Sequence, residues 1–153
     1  MSRTALLVAL AVAVSLGFAA CGGDGDDKLS RSELAKKADA ICAESKAASL
    51  KHKLPRDFAR DPVVAAAYLN KIVPITRKQT DEFAKLKPED DIKDEWNQLV
   101  ERQKQANETL KTVRDKAEAK DPSGVEDLAK AERVSAKFVQ EAKAVGATGC
   151  AAG

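Results

Sequence analysis

The sequence predicts an all-α protein, folded as an antiparallel up-down-up-down four-helix bundle that is cross-linked by one disulfide. No run of β-branched residues alternates with a period of two, whereas four segments carry apolar residues at intervals of three and four. The connections between these segments are short, which favours antiparallel neighbours. The main alternative is a three-helix core in which Pro74 breaks the second segment.

The first two helices are predicted by their start signals and by their apolar faces. The first begins at Ser30, which has the spacing of a capping box with Glu33, and ends before Pro55. Its inward positions are Leu34, Ala38, Ile41, Cys42, Ser45 and Ser49. The second begins at Asp61, with Pro62 as its first helical residue. Its face comprises Ala65, Tyr68, Leu69, Ile72, Ile75, Gln79, Phe83 and Leu86.

The third and fourth helices are predicted by regular apolar stripes. Pro88 is expected to start the third helix, whose seam has Gln103 as its one polar member. That seam is Ile92, Trp96, Leu99, Gln103, Ala106, Leu110, Val113 and Ala117. Asp121–Pro122 is expected to open the fourth helix, and Gly146 and Gly149 to end it. Its stripe is Val125, Leu128, Ala131, Ser135, Phe138, Ala142 and Val145.

The N-terminal segment is typical of an exported protein. Arg3 precedes 17 uncharged residues, Thr4–Ala20, a run shorter than the roughly 20 residues of a spanning helix. The box Phe18-Ala19-Ala20-Cys21 resembles the lipobox of bacterial lipoproteins, although that family prefers Leu at the position of Phe18. The resemblance implies that residues 1–20 are removed and that Cys21 is acylated. The alternative is ordinary cleavage after Ala19, which leaves Cys21 as a free thiol.

Acylation at Cys21 would anchor the chain to the outer, extracytoplasmic face of the cell membrane. A diacylglyceryl group with palmitate-type chains supplies the two chains that stable anchoring needs. The tether, residues 21–29, is rich in Gly and Asp, and its eight residues after the cysteine reach roughly 16 Å if they are flexible. The bundle domain is then residues 30–150, with a short tail at 151–153.

The two remaining cysteines, Cys42 and Cys150, are expected to form a disulfide. Three cysteines in an exported chain require an explanation, and acylation of Cys21 leaves an even pair. An antiparallel bundle brings the first helix beside the end of the fourth, and an extracytoplasmic compartment permits disulfides. The alternative is a pair of buried or reactive thiols.

The residue inventory argues against an enzyme or a cofactor protein. Met1 and His52 are the sole methionine and histidine, so ligands for haem, di-iron and zinc sites are lacking. No Gly-x-Ser-x-Gly elbow and no phosphate-binding glycine loop occurs. We expect no catalytic residues, no metal and no cofactor.

A few residues admit a functional interpretation beside a structural one. Glu89-Asp90-Asp91 could attract a cation, but an acidic first turn is also expected from the helix dipole. Gln103 fits a core position that fixes the register. His52, flanked by lysines, fits a solvated loop or a pH sensor. Trp96 and Tyr68 could line a small-ligand slot, but such residues usually anchor a core.

Positive charge is expected at the end of the bundle that lies away from the tether. Without Arg3 and the three tether aspartates, 25 basic and 21 acidic side chains remain, an excess too small for nucleic-acid binding. The expected interaction tip consists of Lys51, Lys53, Arg56, Arg60, Lys116 and Lys120. Such a tip could contact an anionic envelope polymer or an acidic membrane-protein partner. Alternatively, these charges only keep the bundle soluble.

The layout as a whole is similar to that of small helical lipoproteins of high-GC Gram-positive bacteria. The likeness rests on Ala38-Asp39-Ala40-Ile41-Cys42 with the distant Gly149-Cys150 and on the lipobox. It implies an anchored extracytoplasmic bundle and no known activity. We therefore expect a non-enzymatic interaction or envelope-associated module. The alternative function is a binding or sensor domain that holds a small ligand between helices near Trp96 and Tyr68.

Overall fold

The computed structural model describes residues 28–152, which form an all-α structure as predicted. No strand occurs in this range, although an isolated bridge joins Leu29 to Pro88. The helices are α1 (Arg31–Ser49), α2 (Pro62–Lys85), α3 (Lys93–Glu118), α4 (Gly124–Ala144) and α5 (Thr148–Ala151).

The four long helices run antiparallel, each against the next along the chain. Phe83 near the end of α2 meets Trp96 near the start of α3, with ring centroids 5.5 Å apart. Lys116 near the end of α3 pairs with Asp127 near the start of α4 at 2.5 Å. The predicted up-down-up-down order is therefore confirmed.

The first and last long helices are joined by α5, which packs against both α1 and α4. Arg31 Nη1, at the start of α1, donates to the carbonyl of Ala144 at 3.0 Å. The sulfur atoms of Cys42 and Cys150 are 2.02 Å apart, so the predicted disulfide is present. The sequence pattern missed α5, and Gly149 lies inside that helix rather than ending α4.

The chain that precedes α1 is held against the connection between α2 and α3. The Leu29 N–H donates to the carbonyl of Lys87 at 2.7 Å, and the Glu89 N–H donates to the carbonyl of Leu29 at 3.0 Å. This pairing keeps the segment around Pro88 extended. The third helix consequently begins at Lys93, and the predicted start at Pro88 is wrong.

The acidic run Glu89–Asp91 lies in the turn before α3, so its predicted place in the first helical turn is wrong. Asp94 and Glu95 occupy that turn instead. Asp90 pairs with Lys28 at 2.6 Å, and this hydrogen bond lowers the pKa of the Asp90 carboxyl. We call this end of the bundle, where Lys28 and Asp90 meet, the base.

The predicted caps of the first two helices are confirmed. The Ser30 N–H donates to Glu33 Oε2 at 3.1 Å, and the Glu33 N–H points back to Ser30 Oγ, which completes a capping box. Asp61 Oδ1 accepts from the backbone N–H of Val63 and Val64 at 2.8 and 3.3 Å. Both caps satisfy N–H groups that have no partner within the helix.

Helix α2 continues through Pro74, so the three-helix alternative is wrong. Proline removes one backbone donor, which leaves the carbonyl of Asn70 without its usual partner four residues on. Both Pro74 and Asn70 are exposed, so water can satisfy that carbonyl. This location explains why the helix tolerates the proline.

Helix α4 begins at Gly124, so the predicted opening at Asp121–Pro122 is wrong. Asp121 Oδ1 accepts from the Ser123 N–H at 2.9 Å and forms a turn ahead of the helix. The predicted inward Ser135 is exposed, and Val134 is buried in its place. The side chain of Val125 lies outside the described part of the structure.

The main core lies toward the base. A polar layer between α2 and α3 separates it from two smaller apolar clusters. The core comprises Leu34, Ala38, Cys42, Phe83, Ile92, Trp96, Leu99, Val100, Phe138, Ala142, Val145 and Ala147. In the polar layer, Asn107 Nδ2 donates to the carbonyl of Thr76 at 3.1 Å and to the hydroxyl of Thr80. Gln103 is buried, as the seam pattern predicts.

Candidate functional site: an apolar cleft at the tip

A cleft of about 260 Å³ opens at the end of the bundle opposite the base. We call this end the tip; it is formed by the start of α2, the end of α3 and the start of α4. The cleft is lined by Phe58, Ala59, Arg60, Pro62, Ala65, Val113, Ala117, Lys120, Asp121, Pro122, Gly124 and Leu128. Most of these residues are apolar, and no residue of α1 is among them.

The cleft exists because α1 ends before it reaches the tip. Helix α1 has 19 residues against 24 in α2 and 26 in α3. At about 1.5 Å per residue, α1 is about 8 to 11 Å shorter than these neighbours. The connection between α1 and α2 covers the remaining length, and the small residues Ala65, Ala117 and Gly124 leave the space unfilled.

Phe58 is the anchor that holds this connection on the bundle. Its ring packs edge-on against Tyr68 with centroids 5.4 Å apart. It also packs against two small apolar clusters, one that contains Ala65 and Ala117 and one that contains Val113. One wall of the cleft is thus fixed by an aromatic contact, although Phe58 is not part of any helix.

Two cations and one carboxylate line the mouth of the cleft. Arg60 and Lys120 supply the positive charges, and Asp121 supplies the negative one. Hydrogen bonding to Ser123 lowers the pKa of the Asp121 carboxyl, so this group is ionised near neutral pH. The mouth therefore carries one net positive charge above an apolar interior.

Lys120 has an unusual backbone conformation, with φ at 54°. It occupies the C′ position of α3, since its N–H donates to the carbonyl of Ala117 and the Asp121 N–H donates to that of Lys116. These two bonds define a Schellman motif, in which glycine is the usual C′ residue. A lysine here accepts the left-handed conformation that L-residues generally avoid.

The structure gathers some of the predicted tip cations and leaves others apart. Arg60 and Lys120 share the cleft, whereas Lys116 is bonded to Asp127, which raises the pKa of Lys116. Lys51, Lys53 and Arg56 are exposed on the connection between α1 and α2 and do not line the cleft.

Exposed apolar side chains accompany these cations. Leu50, Leu54 and Val63 are 72%, 63% and 59% exposed, and all three lie on the connection or in the first turn of α2. Sequence patterns did not single them out as site residues. The signal that was available is the pair of leucines that flanks the stretch Lys51-His52-Lys53, ahead of the isolated Phe58.

The remaining candidates occupy structural positions. Trp96 is 1% exposed and packs against Phe83, so it is a core residue, and Tyr68 is half-buried beside Phe58. His52 is partly exposed just beyond the end of α1. None of these three side chains lines the tip cleft.

The disulfide lies in a partly polar setting. Gln79 Nε2 donates to Cys42 Sγ at 3.2 Å, and the Cys150 N–H donates to Asp39 Oδ1 at 3.2 Å. These contacts hold α5 against α1 and toward α2. The predicted acylation site, Cys21, lies outside the described residues.

Within residues 28–152, no helix is both long and apolar enough to cross a bilayer. No group of three or more His, Cys, Asp and Glu side chains is arranged there to hold a metal ion. Comparison with protein-family models, with curated proteins and with solved structures finds no match to this chain.

Proposed function

We propose that this protein is a non-enzymatic, membrane-tethered binding module that acts on the extracytoplasmic face through its tip. The observation that carries the proposal is the apolar cleft of about 260 Å³ with Arg60 and Lys120 at its mouth. Concave apolar sites with a few polar groups at the edge are the usual form of a binding site. No cluster of catalytic side chains accompanies this cleft among its lining residues.

The proposed anchor would present the tip away from the membrane. The first described residue, Lys28, is bonded to Asp90 at the base, and Leu29 is held by the backbone of 87–89. A tether that starts at an acylated Cys21 would therefore enter the bundle at the base. The 26 residues of α3 separate base from tip by about 39 Å.

The connection between α1 and α2, which also supplies Phe58 and Arg60 to the cleft, supports contact with a partner. Exposed Leu50 and Leu54 flank Lys51 and Lys53 there, which combines apolar side chains with positive charge. Exposed apolar groups close together on a soluble domain often mark an interaction site. An anionic envelope polymer or an acidic membrane-protein partner has the matching charge.

The alternative, a ligand slot near Trp96 and Tyr68, receives less support. Trp96 is enclosed by the core, and its ring is occupied by the contact with Phe83. If the protein captures a small ligand, the tip cleft is the better location. Both functions then converge on the same end of the molecule.

Photo-crosslinking in the intact envelope tests the proposal. A diazirine amino acid replaces Arg56, two residues before Phe58 on the tip side, and a second variant carries it at Glu89 near the base. We expect a discrete adduct, identified by mass spectrometry, from position 56 and not from position 89. Equal labelling at both positions, or none at position 56, would contradict a working tip.

The anchored location is tested separately by Cys21→Ser. We expect this variant to leave the membrane fraction once residues 1–20 are removed, while its thermal unfolding matches that of the unchanged protein. A variant that has lost residues 1–20, as mass spectrometry shows, and still remains membrane-bound would overturn acylation at Cys21 as the anchor.

A further inference from the structure

We propose that the tip cleft binds the apolar tail of an anionic amphiphile, whose carboxylate or phosphate head lies between Arg60 and Lys120. This inference rests on the proposed function and specifies the chemistry of its ligand.

The size of the cleft selects the kind of group that enters. A cavity of about 150 Å³ already accommodates benzene, whereas drug-sized ligands fill about 300 to 1,000 Å³. At about 260 Å³ the cleft accepts a ring or a segment of an alkyl chain. The rest of the ligand must then remain at the mouth, in contact with solvent.

The lining of the interior favours an apolar tail. Phe58, Val113 and Leu128 approach from three different segments, and Ala65 and Ala117 form the wall between α2 and α3. Burial of apolar area contributes about 25 cal/mol per Å². An alkyl segment is therefore stabilised in the cleft without any hydrogen bond.

The mouth selects the sign of the head group. Arg60 and Lys120 both face the cleft, and Asp121 opposes them with one negative charge that the Ser123 N–H partly balances. Guanidinium and ammonium groups form their strongest hydrogen bonds with carboxylate and phosphate oxygens. A cationic head would meet two like charges, and a neutral head would form only weaker hydrogen bonds.

The conformation of Lys120 supports a role for its charge. The same motif at the end of α4 has Gly146 at φ 85°, whereas α3 has lysine at φ 54°. A side chain in the left-handed region brings Cβ too close to the following carbonyl oxygen, so this conformation is strained for lysine and not for glycine. Strained residues of this kind concentrate at functional sites, and here the residue lines the mouth of the cleft.

Titration of the folded chain, residues 28–152 with the preceding tether, with decanoate below its micelle concentration tests the inference. Methyl NMR provides the readout, with Ala65, Ala117 and Leu128 as reporters in the cleft and Leu50 as a reporter outside it. We expect saturable shifts at the three cleft methyls and none at Leu50. Decanol and decyltrimethylammonium should bind at least about tenfold more weakly, a difference of about 1.4 kcal/mol.

Variants assign the binding to the named groups. Arg60→Gln and Lys120→Asn should each weaken decanoate binding by about threefold to fivefold. Asparagine tolerates the left-handed conformation, so the second variant keeps the turn. Ala59→Trp, at an exposed position on the edge of the cleft, should block entry, and Lys137→Gln, at an exposed position of α4 outside the cleft lining, should change nothing.

Decyl phosphate and phosphatidylglycerol vesicles form two further arms that distinguish a free amphiphile from a membrane lipid as the source. Cleft shifts in either arm support the inference. Equal affinity for decanoate and decanol, or shifts confined to Leu50, would overturn it. The two proposals can fail separately. If decanoate binding fails but position 56 still yields its discrete adduct in the envelope, the proposed interaction function stands and only the amphiphile ligand is overturned.

Discussion

Lys120 and Gly146 occupy equivalent C′ positions at the ends of α3 and α4. Both have positive φ, 54° and 85°, and both donate to the carbonyl three residues before them. Glycine adopts this conformation without a steric cost, and lysine does not. Opposite substitutions at these two positions, which have the same backbone motif, therefore test the steric cost directly.

We expect Lys120→Gly to raise the free energy of unfolding by about 1 kcal/mol and Gly146→Ala to lower it by about 1 kcal/mol. The first relieves a strained side chain, and the second introduces one. Urea denaturation measures both. Lys130→Gly, at an exposed position within α4, is the control and should destabilise, since glycine is a poor helix former. A destabilised Lys120→Gly would contradict the assigned strain.

The capping box at the start of α1 makes stability depend on acid pH. The Ser30 hydroxyl and N–H both bond to the Glu33 carboxylate, and these bonds lower the pKa of Glu33 below its ordinary value of 4.5. A carboxyl with a depressed folded-state pKa stabilises the fold above 4.5, and this stabilisation is lost as the pH falls through the folded-state value. Glu33→Gln should therefore reduce the stability difference between pH 6 and pH 3, measured by urea denaturation. An unchanged difference would exclude this role of the cap.

Helix α2 contains a substitution that tests why Pro74 is tolerated. Pro74→Ala restores the backbone donor to the carbonyl of Asn70 and should stabilise the protein by about 1–3 kcal/mol. Thermal unfolding gives the sign, and Lys71→Ala, one turn earlier and also exposed, is the control with a change near zero. A loss of stability at position 74 would mean that a bend at the proline is needed for packing.

Helix boundaries were predictable where the signal was local. Ser30 and Asp61 cap the first two helices through hydrogen bonds to N–H groups at most three residues further along the chain. The local sequence pattern was therefore sufficient to predict these starts. The start of α3 depends on backbone bonds between Leu29 and residues 87–89, which are about 60 positions apart in the chain. No pattern within the segment around Pro88 contains that information.

The cleft was not predictable for a related reason. The cleft follows from the length of α1 relative to α2 and α3, and from the packing of Phe58 against α2 and α3. Individually, Ala65, Ala117 and Gly124 are ordinary small residues. Their alignment beneath Arg60 and Lys120 appears only once the helices are antiparallel and in register. The short α5 was missed because four residues carry no helical periodicity.

At the scale of the whole molecule, one disulfide connects the first helix, α1, to the last, α5. Cys42 and Cys150 are 108 residues apart, a separation for which loop-closure entropy corresponds to about 4–5 kcal/mol. The double variant Cys42→Ser with Cys150→Ser should lower the free energy of unfolding by about 2–5 kcal/mol. Urea denaturation measures this loss, with Cys21→Ser as the unaffected control. Equal stability of both variants would show that the cross-link does not stabilise the fold.

The most direct test of the account is whether envelope crosslinking at the tip depends on the cleft itself. The diazirine at position 56 is compared in two backgrounds, with Ala59 unchanged and with Ala59→Trp, after thermal unfolding has established equal stability. The account predicts a discrete adduct in the first background and its loss in the second. An adduct that persists when the cleft is blocked would contradict the claim that this cleft is the binding site.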